Sequence, residues 1–347
     1  MIFVQSLKTG FSRSGRTKRM IFLAWLVSLL LGLMLAFPLL RELDRYIAPT
    51  LLEEKLVKHY DENAIETMKA DHEGSIILDA VDPGMMGFGS FLSTYNQVLN
   101  GTPVKSVANV LYDLVFRFSV APGSTILFTM LLVLYALAWT FLAGGFVGIY
   151  AKDPYGGLND FLKYGAKYFG RYFRLSLVAL IVYALLFSLV FDNIRFAIAR
   201  GTANDPSEMT PFVYYMIENG VVLLVLGLLT LCFDYAKIRI VVEERASVFG
   251  ALFRGAGFAF KKFASTAPLY LALVGVGIVL IAVLSLLDAW IPQSSYWTIL
   301  LFFIILQLYM GARFWLKATT YAAETDLFQH LTEGPAAAVT AIPTVSP

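Results

Sequence analysis

Cysteine occurs once in these 347 residues, at Cys232, and histidine three times, at His59, His72 and His330. A single thiol permits no internal disulfide, and no metal-ligand spacing surrounds it, so Cys232 reads as a small apolar packing residue. Charge is scarce too. Asp, Glu, Lys and Arg make up 15% of the chain, against about 25% in soluble domains. There is no glycine-rich loop followed by Lys-Ser/Thr and no Gly-x-Ser-x-Gly elbow, and none of the histidines falls in an apolar run. The expectation is a protein that is not an enzyme, with no catalytic residue, cofactor or metal.

Present instead are six long apolar runs, roughly 21–40, 124–150, 175–191, 213–233, 267–290 and 297–316. Each approaches or exceeds the ~20 helical residues that cross a hydrocarbon core. Core helices of a soluble protein would alternate with polar faces, and these do not. The basic residues fall on alternate sides of the runs. Lys8, Arg13, Arg16, Lys18 and Arg19 precede the first. Lys152, Lys163, Lys167, Arg171 and Arg174 follow the second. Lys237, Arg239, Arg245, Arg254, Lys261 and Lys262 follow the fourth, and Arg313 and Lys317 close the sixth; these are 18 of the 27 basic residues. The positive-inside rule places that side, and both termini, in the cytoplasm. Residues 41–121 carry seven basic groups against twelve acidic ones and fall outside.

The fold expected is all-α: a polytopic membrane protein with six transmembrane helices, interfacial amphipathic helices and a mostly helical extracytoplasmic segment. Residues 1–20 read as a basic cytoplasmic tail, 21–40 as a retained signal anchor and 41–121 as the extracytoplasmic segment. A five-helix membrane domain follows over 122–324, and 325–347 read as a disordered tail. The first run is longer than a signal peptide's usual 7–15 residues and lacks an Ala-x-Ala exit. Within 41–121, His59, Glu62 and Glu66 would share one helix face. A divalent metal there is imaginable, but a solvated acidic face explains the same residues.

Tyr150-Ala151-Lys152 and Tyr235-Ala236-Lys237 end the second and fourth runs, and Leu316-Lys317-Ala318 ends the sixth. Each of the first two is followed by an aromatic, basic stretch with a glycine, Gly165 or Gly255, and then by another crossing. This suggests an internal repeat of inward crossing, surface helix and outward crossing. In the first copy Lys163, Lys167 and Arg171 form a basic stripe opposite Leu158, Phe161, Leu162, Gly165, Phe169 and Tyr172. That division suits a helix in the headgroup layer, with the three cations on lipid phosphates.

Gly144-Gly145-Phe146, Tyr150-Ala151-Lys152, Asp234–Arg239 and Val242–Ser247 resemble an uncharacterised family of bacterial six-helix inner-membrane proteins. They are loosely similar to the membrane domain attached to some glycerophosphodiester phosphodiesterases. The resemblance implies a fold and an inner-membrane location but no activity, since no phosphodiesterase catalytic domain is present.

Ionisable groups at membrane depth are candidate sites. Asp234 and Arg313, at matching inner depth, suggest an ion pair. Glu218 and Asp288, near the outer ends of their helices, are possible polar sites in the membrane. The function expected is a non-catalytic scaffold or accessory subunit that contacts lipids and a protein partner. The alternative is a transporter of a lipid or small amphipathic solute, against which the apolar runs hold no cluster of charges or broken-helix signature near mid-depth. A nucleic-acid partner is not needed to explain the basic residues.

Overall fold

The computed structural model describes residues 2–47, 98–101, 104–105, 107–108, 112, 123–153, 155–244, 247–291 and 295–333. The possible metal cluster at His59, Glu62 and Glu66 lies outside them. All regular structure among the described residues is helical: α1 (Ile2–Arg16), α2 (Lys18–Ile47), α3 (Gly123–Lys152), α4 (Leu158–Leu185), a π segment (Leu186–Phe191), α5 (Asp192–Thr202), α6 (Met209–Val242), α7 (Val248–Lys261), α8 (Phe263–Trp290) and α9 (Tyr296–Glu333). Five of these stretches are long and apolar enough to cross a membrane. A sixth arises if α1 and α2, bent by 72°, count as one span.

The core lies toward the ends of the helices that carry Lys152, Lys237 and Lys317, here termed the basic end. It is built from aromatic side chains in contact across helices. Phe146 meets Phe161 edge-on at 5.0 Å, and Phe258 lies 4.8 Å from Phe328 and 5.1 Å from Tyr235. Toward the opposite, far end the helices present apolar side chains outward, among them Phe196, Ile217, Trp290 and Trp297. Helices that are apolar on every side suit a lipid environment.

At the basic end three helix pairs approach closely through small residues. A methyl group on Gly165 of α4 would sit 2.8 Å from the Phe141 ring of α3. One on Gly255 of α7 would sit 2.7 Å from the backbone nitrogen of Ala236 in α6. One on Gly10 of α1 would sit 2.7 Å from the Cβ of Ala323 in α9. These separations are below van der Waals contact, so glycine lets the backbones meet at Gly255 and Gly10 and leaves room for the Phe141 ring at Gly165.

The chain termini differ from the sequence reading. Residues 1–20 are not a free tail: α1 packs on α9, with Ser6, Gly10 and Ser14 buried. Arg13 pairs with Asp326 at 3.3 Å, and Thr319 donates to Ser14 at 2.8 Å. At the bend Thr17 shares a 2.7 Å hydrogen bond with Tyr150. Nor does helix end at the sixth apolar run. Residues 325–333, read as disordered, continue α9, and Leu327 and Phe328 are buried. In the tail Leu327, Phe328 and Leu331 pack against the core among polar residues, and so few apolar positions disappear in an average over 325–347.

The surface helix is not a separate element either. From Leu158 the chain runs as helix to Thr202, broken only in type by the π segment. The face buried is Phe161, Gly165, Tyr168, Tyr172 and Leu175, at three- and four-residue steps, while Leu158 and Leu162 are exposed.

Candidate functional site

α6 passes from apolar sequence into charge at Asp234, and the helical period puts Lys237 on the same face one turn later. The Lys237 ammonium lies 2.6 Å from one oxygen of Asp234, and Lys317 of α9 lies 3.3 Å from the other. Asp234 is 1% exposed. The aromatic face of Tyr321 accepts both cations, with the Lys317 nitrogen 4.7 Å and the Lys237 nitrogen 5.8 Å from the ring centre. Such contacts favour an ammonium by about 0.5–1 kcal/mol when exposed and about 2 kcal/mol when desolvated. Tyr172 of α4 donates to the Lys237 carbonyl at 2.9 Å, tying a third helix to the cluster. Glu324, seven residues beyond Lys317 on the same helical face, is buried, and neither of its oxygens has a protein partner. The hydroxyls of Tyr235 and Tyr321 are likewise buried and unpartnered.

Two members of the cluster, Asp234 and Lys317, line a cavity of about 600 Å³ between α3, α6, α8 and α9. Asp234, Lys317, Thr230 and Thr320 are at its polar end, with Arg313 on the wall. The rest is apolar or aromatic: Leu273, Ile278, Ile281 and Phe314 with Tyr135, Trp139 and Tyr309. Along α9 the lining runs from Tyr309 to Thr320, about 16 Å at 1.5 Å per residue. Size and lining fall in the range of small-ligand sites, which are mostly apolar with a few placed polar groups. The Thr230 and Thr320 hydroxyls already donate to the carbonyls of Leu226 and Leu316. Lys317 and Arg313 are therefore the cationic groups on the cavity wall that a polar ligand would meet.

The pair expected from the sequence, Asp234 with Arg313, is not the one made. Both residues line the cavity, but Asp234 takes Lys237 and Lys317, and Arg313 lies over the Tyr309 ring at 5.8 Å. Arg313 precedes Lys317 by one turn on α9, and it is Lys317 that reaches the buried carboxylate. Lys237 and Lys317 were legible as inner-side cations, and the i, i+3 spacing to Asp234 was a usable signal. Glu324 carried no signal within the apolar runs, because it lies beyond all of them.

Glu218 and Asp288 are not brought together by any contact described here. Glu218, 5% exposed, pairs with Arg195 at 3.1 Å. The same guanidinium donates to the Leu99 carbonyl at 2.8 Å and to the Asn100 side chain. Gly101 follows at φ +65 with its α-carbon against the Phe187 ring, inside the π segment. Asp288 is half-buried near the end of α8. Of the three cations assigned to lipid phosphates, Lys163 is exposed, Arg171 lies 5.9 Å from the Tyr168 ring, and Lys167 bonds Glu244 at 2.9 Å. Glu244 sits at φ 50 between α6 and α7, with Lys152 at 3.7 Å. The Lys167 hydrogen bond, with the charges of Lys167 and Lys152, holds its carboxyl below the ordinary value of 4.5. Among the described residues no group of three or more His, Cys, Asp or Glu could hold a metal ion.

No family model, curated protein or solved structure matches this chain.

Proposed function

We propose that this is a membrane transporter that takes a lipid or small amphipathic solute into the cavity between α3, α6, α8 and α9. The observation that carries the reading is the cavity itself: about 600 Å³, apolar along its length and polar at one end. An amphiphile has the same division. The laterally exposed apolar helices give such a molecule a hydrocarbon route to the site. A scaffold needs no such cavity, which is why transport is preferred over the accessory role expected from the sequence.

The three glycine junctions support the same reading. α3 with the start of α4, α6 with α7 and α9 with α1 each join a long apolar helix to a helical stretch at the basic end. α7 and α1 are separate helices ahead of α8 and α2, whereas the stretch in α4 continues directly into its own apolar part. On this reading the protein is a threefold repeat running in one direction, as in parallel-repeat transporters. Its third unit is closed by the two ends of the chain. The basic end is cytoplasmic, following the distribution of Lys and Arg, and the membrane is a bacterial inner membrane, as the resemblance to the six-helix family implies. No catalysis is assigned.

Gly277 lines the cavity, where an added methyl would lie 3.5 Å from Leu316, an ordinary contact. Gly277→Trp should fill the space without breaking the helix pair. Mass spectrometry of protein gently extracted from its membrane should find a co-purifying amphiphile in the native protein and at least tenfold less in the variant. Transfer between reconstituted vesicles should fall in parallel. Undiminished transfer by Gly277→Trp would remove the cavity from the mechanism and restore the scaffold. Orientation is tested separately. With Cys232→Ser as background, cysteines at Gly157 or Ser247 should resist an impermeant thiol reagent added outside intact cells, and a cysteine at Ser207 should react. Labelling at Gly157 would reverse the assignment.

A further inference from the structure

Asp234 meets two lysines, and only one of them faces the cavity. Lys237 is the nearer at 2.6 Å; Lys317, at 3.3 Å, lines the cavity wall. A buried carboxylate deprived of its cation is strongly destabilised. With one partner, that cation could never leave. With two it can: when Lys317 turns away, Asp234 keeps its shorter bond to Lys237. Lys317 also has somewhere to stand in either position, because its ammonium is close to the Tyr321 ring, 4.7 Å from the centre, and its side chain is 31% exposed. Arg313 lies one turn away on the same wall. The charged groups lining the cavity are Arg313, Lys317 and Asp234, an excess of one positive charge. An anion neutralises that excess; a zwitterion or a neutral head does not.

Resting on the reading of the cavity as an amphiphile site, the geometry points to an acidic head group as its ligand, with Lys317 as an exchangeable contact. Lys317 pairs with Asp234 in the empty protein and passes to the head-group oxygens when the ligand enters. Asp234 is then the ligand's competitor and sets how tightly the acid is held. A carboxylate and a phosphate both supply the required anionic oxygens.

The test is equilibrium binding to the purified full-length protein of four amphiphiles with one chain length: dodecanoate, dodecyl phosphate, zwitterionic dodecylphosphocholine and neutral dodecanol. The native protein should prefer the acids by at least about tenfold, the scale of a charge-assisted hydrogen bond. Whichever acid binds more tightly identifies carboxylate or phosphate as the source. Lys317→Gln should abolish the preference, weakening the acids far more than dodecanol, and Lys317→Arg should keep it. Asp234→Asn should tighten the acids. If that variant does not fold, Lys237→Gln serves in its place and should weaken them, since Asp234 then depends on Lys317 alone. Acid preference surviving Lys317→Gln, or weakened by Asp234→Asn, overturns the exchange and leaves the cavity reading standing. Failure of the native protein to bind any of the four overturns the cavity reading itself.

Discussion

The two ends of this helix bundle hold their buried carboxylates in different ways. At the basic end Asp234 has two lysines, sits among Tyr172, Tyr235 and Tyr321, and borders a cavity. At the far end Glu218 has one arginine, which is itself engaged by Leu99 and Asn100. The basic end packs protein against protein through aromatic rings, while the far end turns its large apolar side chains outward. Where lipid already supplies apolar surroundings, helices gain little by burying Phe196 or Ile217 against each other. The basic end instead buries its rings against one another and gives its carboxylate two cations. The difference teaches that the doubled lysine allows movement and the single arginine does not.

The largest effect expected is on the close junctions. Gly255→Leu drives a side chain into the α6 backbone at Ala236 and should cost more than the ~1–3 kcal/mol of ordinary overpacking. Loss of folded protein on detergent extraction is the readout; a well-folded variant would mean the junction is looser than drawn. Phe328→Ala comes next. Removing a fully buried ring from the cluster with Tyr235 and Phe258 should cost about 3–5 kcal/mol. Phe196→Ala, on the outward surface, should leave the thermal midpoint in detergent almost unchanged. Equal losses at the two positions would erase the comparison.

The ion pairs sharpen it. Arg195→Gln orphans Glu218 and should cost about 3 kcal/mol. Lys317→Gln leaves Asp234 its bond to Lys237 and should cost about 1 kcal/mol. A double-mutant cycle between Asp234 and Lys317 should give a measurable coupling, whereas Asp234 and Arg313 should add without one. A strong Asp234–Arg313 coupling would restore the pairing expected from spacing alone.

The smallest effect concerns Glu244. Its lowered value in the folded protein means that its bond to Lys167 contributes fully above pH 4.5, the ordinary value, and is lost as pH falls through the lower, folded one. The pair is exposed, so the contribution is slight. Stability measured from pH 7 downward should fall slightly less steeply below that point in Glu244→Gln; an unchanged profile would mean the pair is decorative.

Much of the membrane character was legible in one dimension. Long runs such as 213–233 and 267–290 are apolar on every side, and no tertiary contact is needed for such helices to partition into lipid. Asp234 could be singled out because a carboxylate beside an apolar run is rare. Its partner could not be chosen, because Arg313 and Lys317 stand one turn apart on α9 and only the rotation of that helix against α6 selects between them. The stripe Lys163, Lys167 and Arg171 is legible as basic, yet Glu244, 77 residues beyond Lys167, decides where Lys167 goes.

The sequence by itself determined that this chain is helical, with several runs apolar enough to cross a membrane and its basic residues concentrated in alternate gaps between them, because those properties are set locally by side-chain transfer free energy and by the helical period. Only the tertiary structure decided that α1 returns to the end of α9, that two lysines share one aspartate, and that a cavity opens above them. Each of these depends on close approach between segments far apart in the chain. Such approach is governed by small residues such as Gly10, Gly165 and Gly255, whose meaning appears only once the backbone facing them is in place.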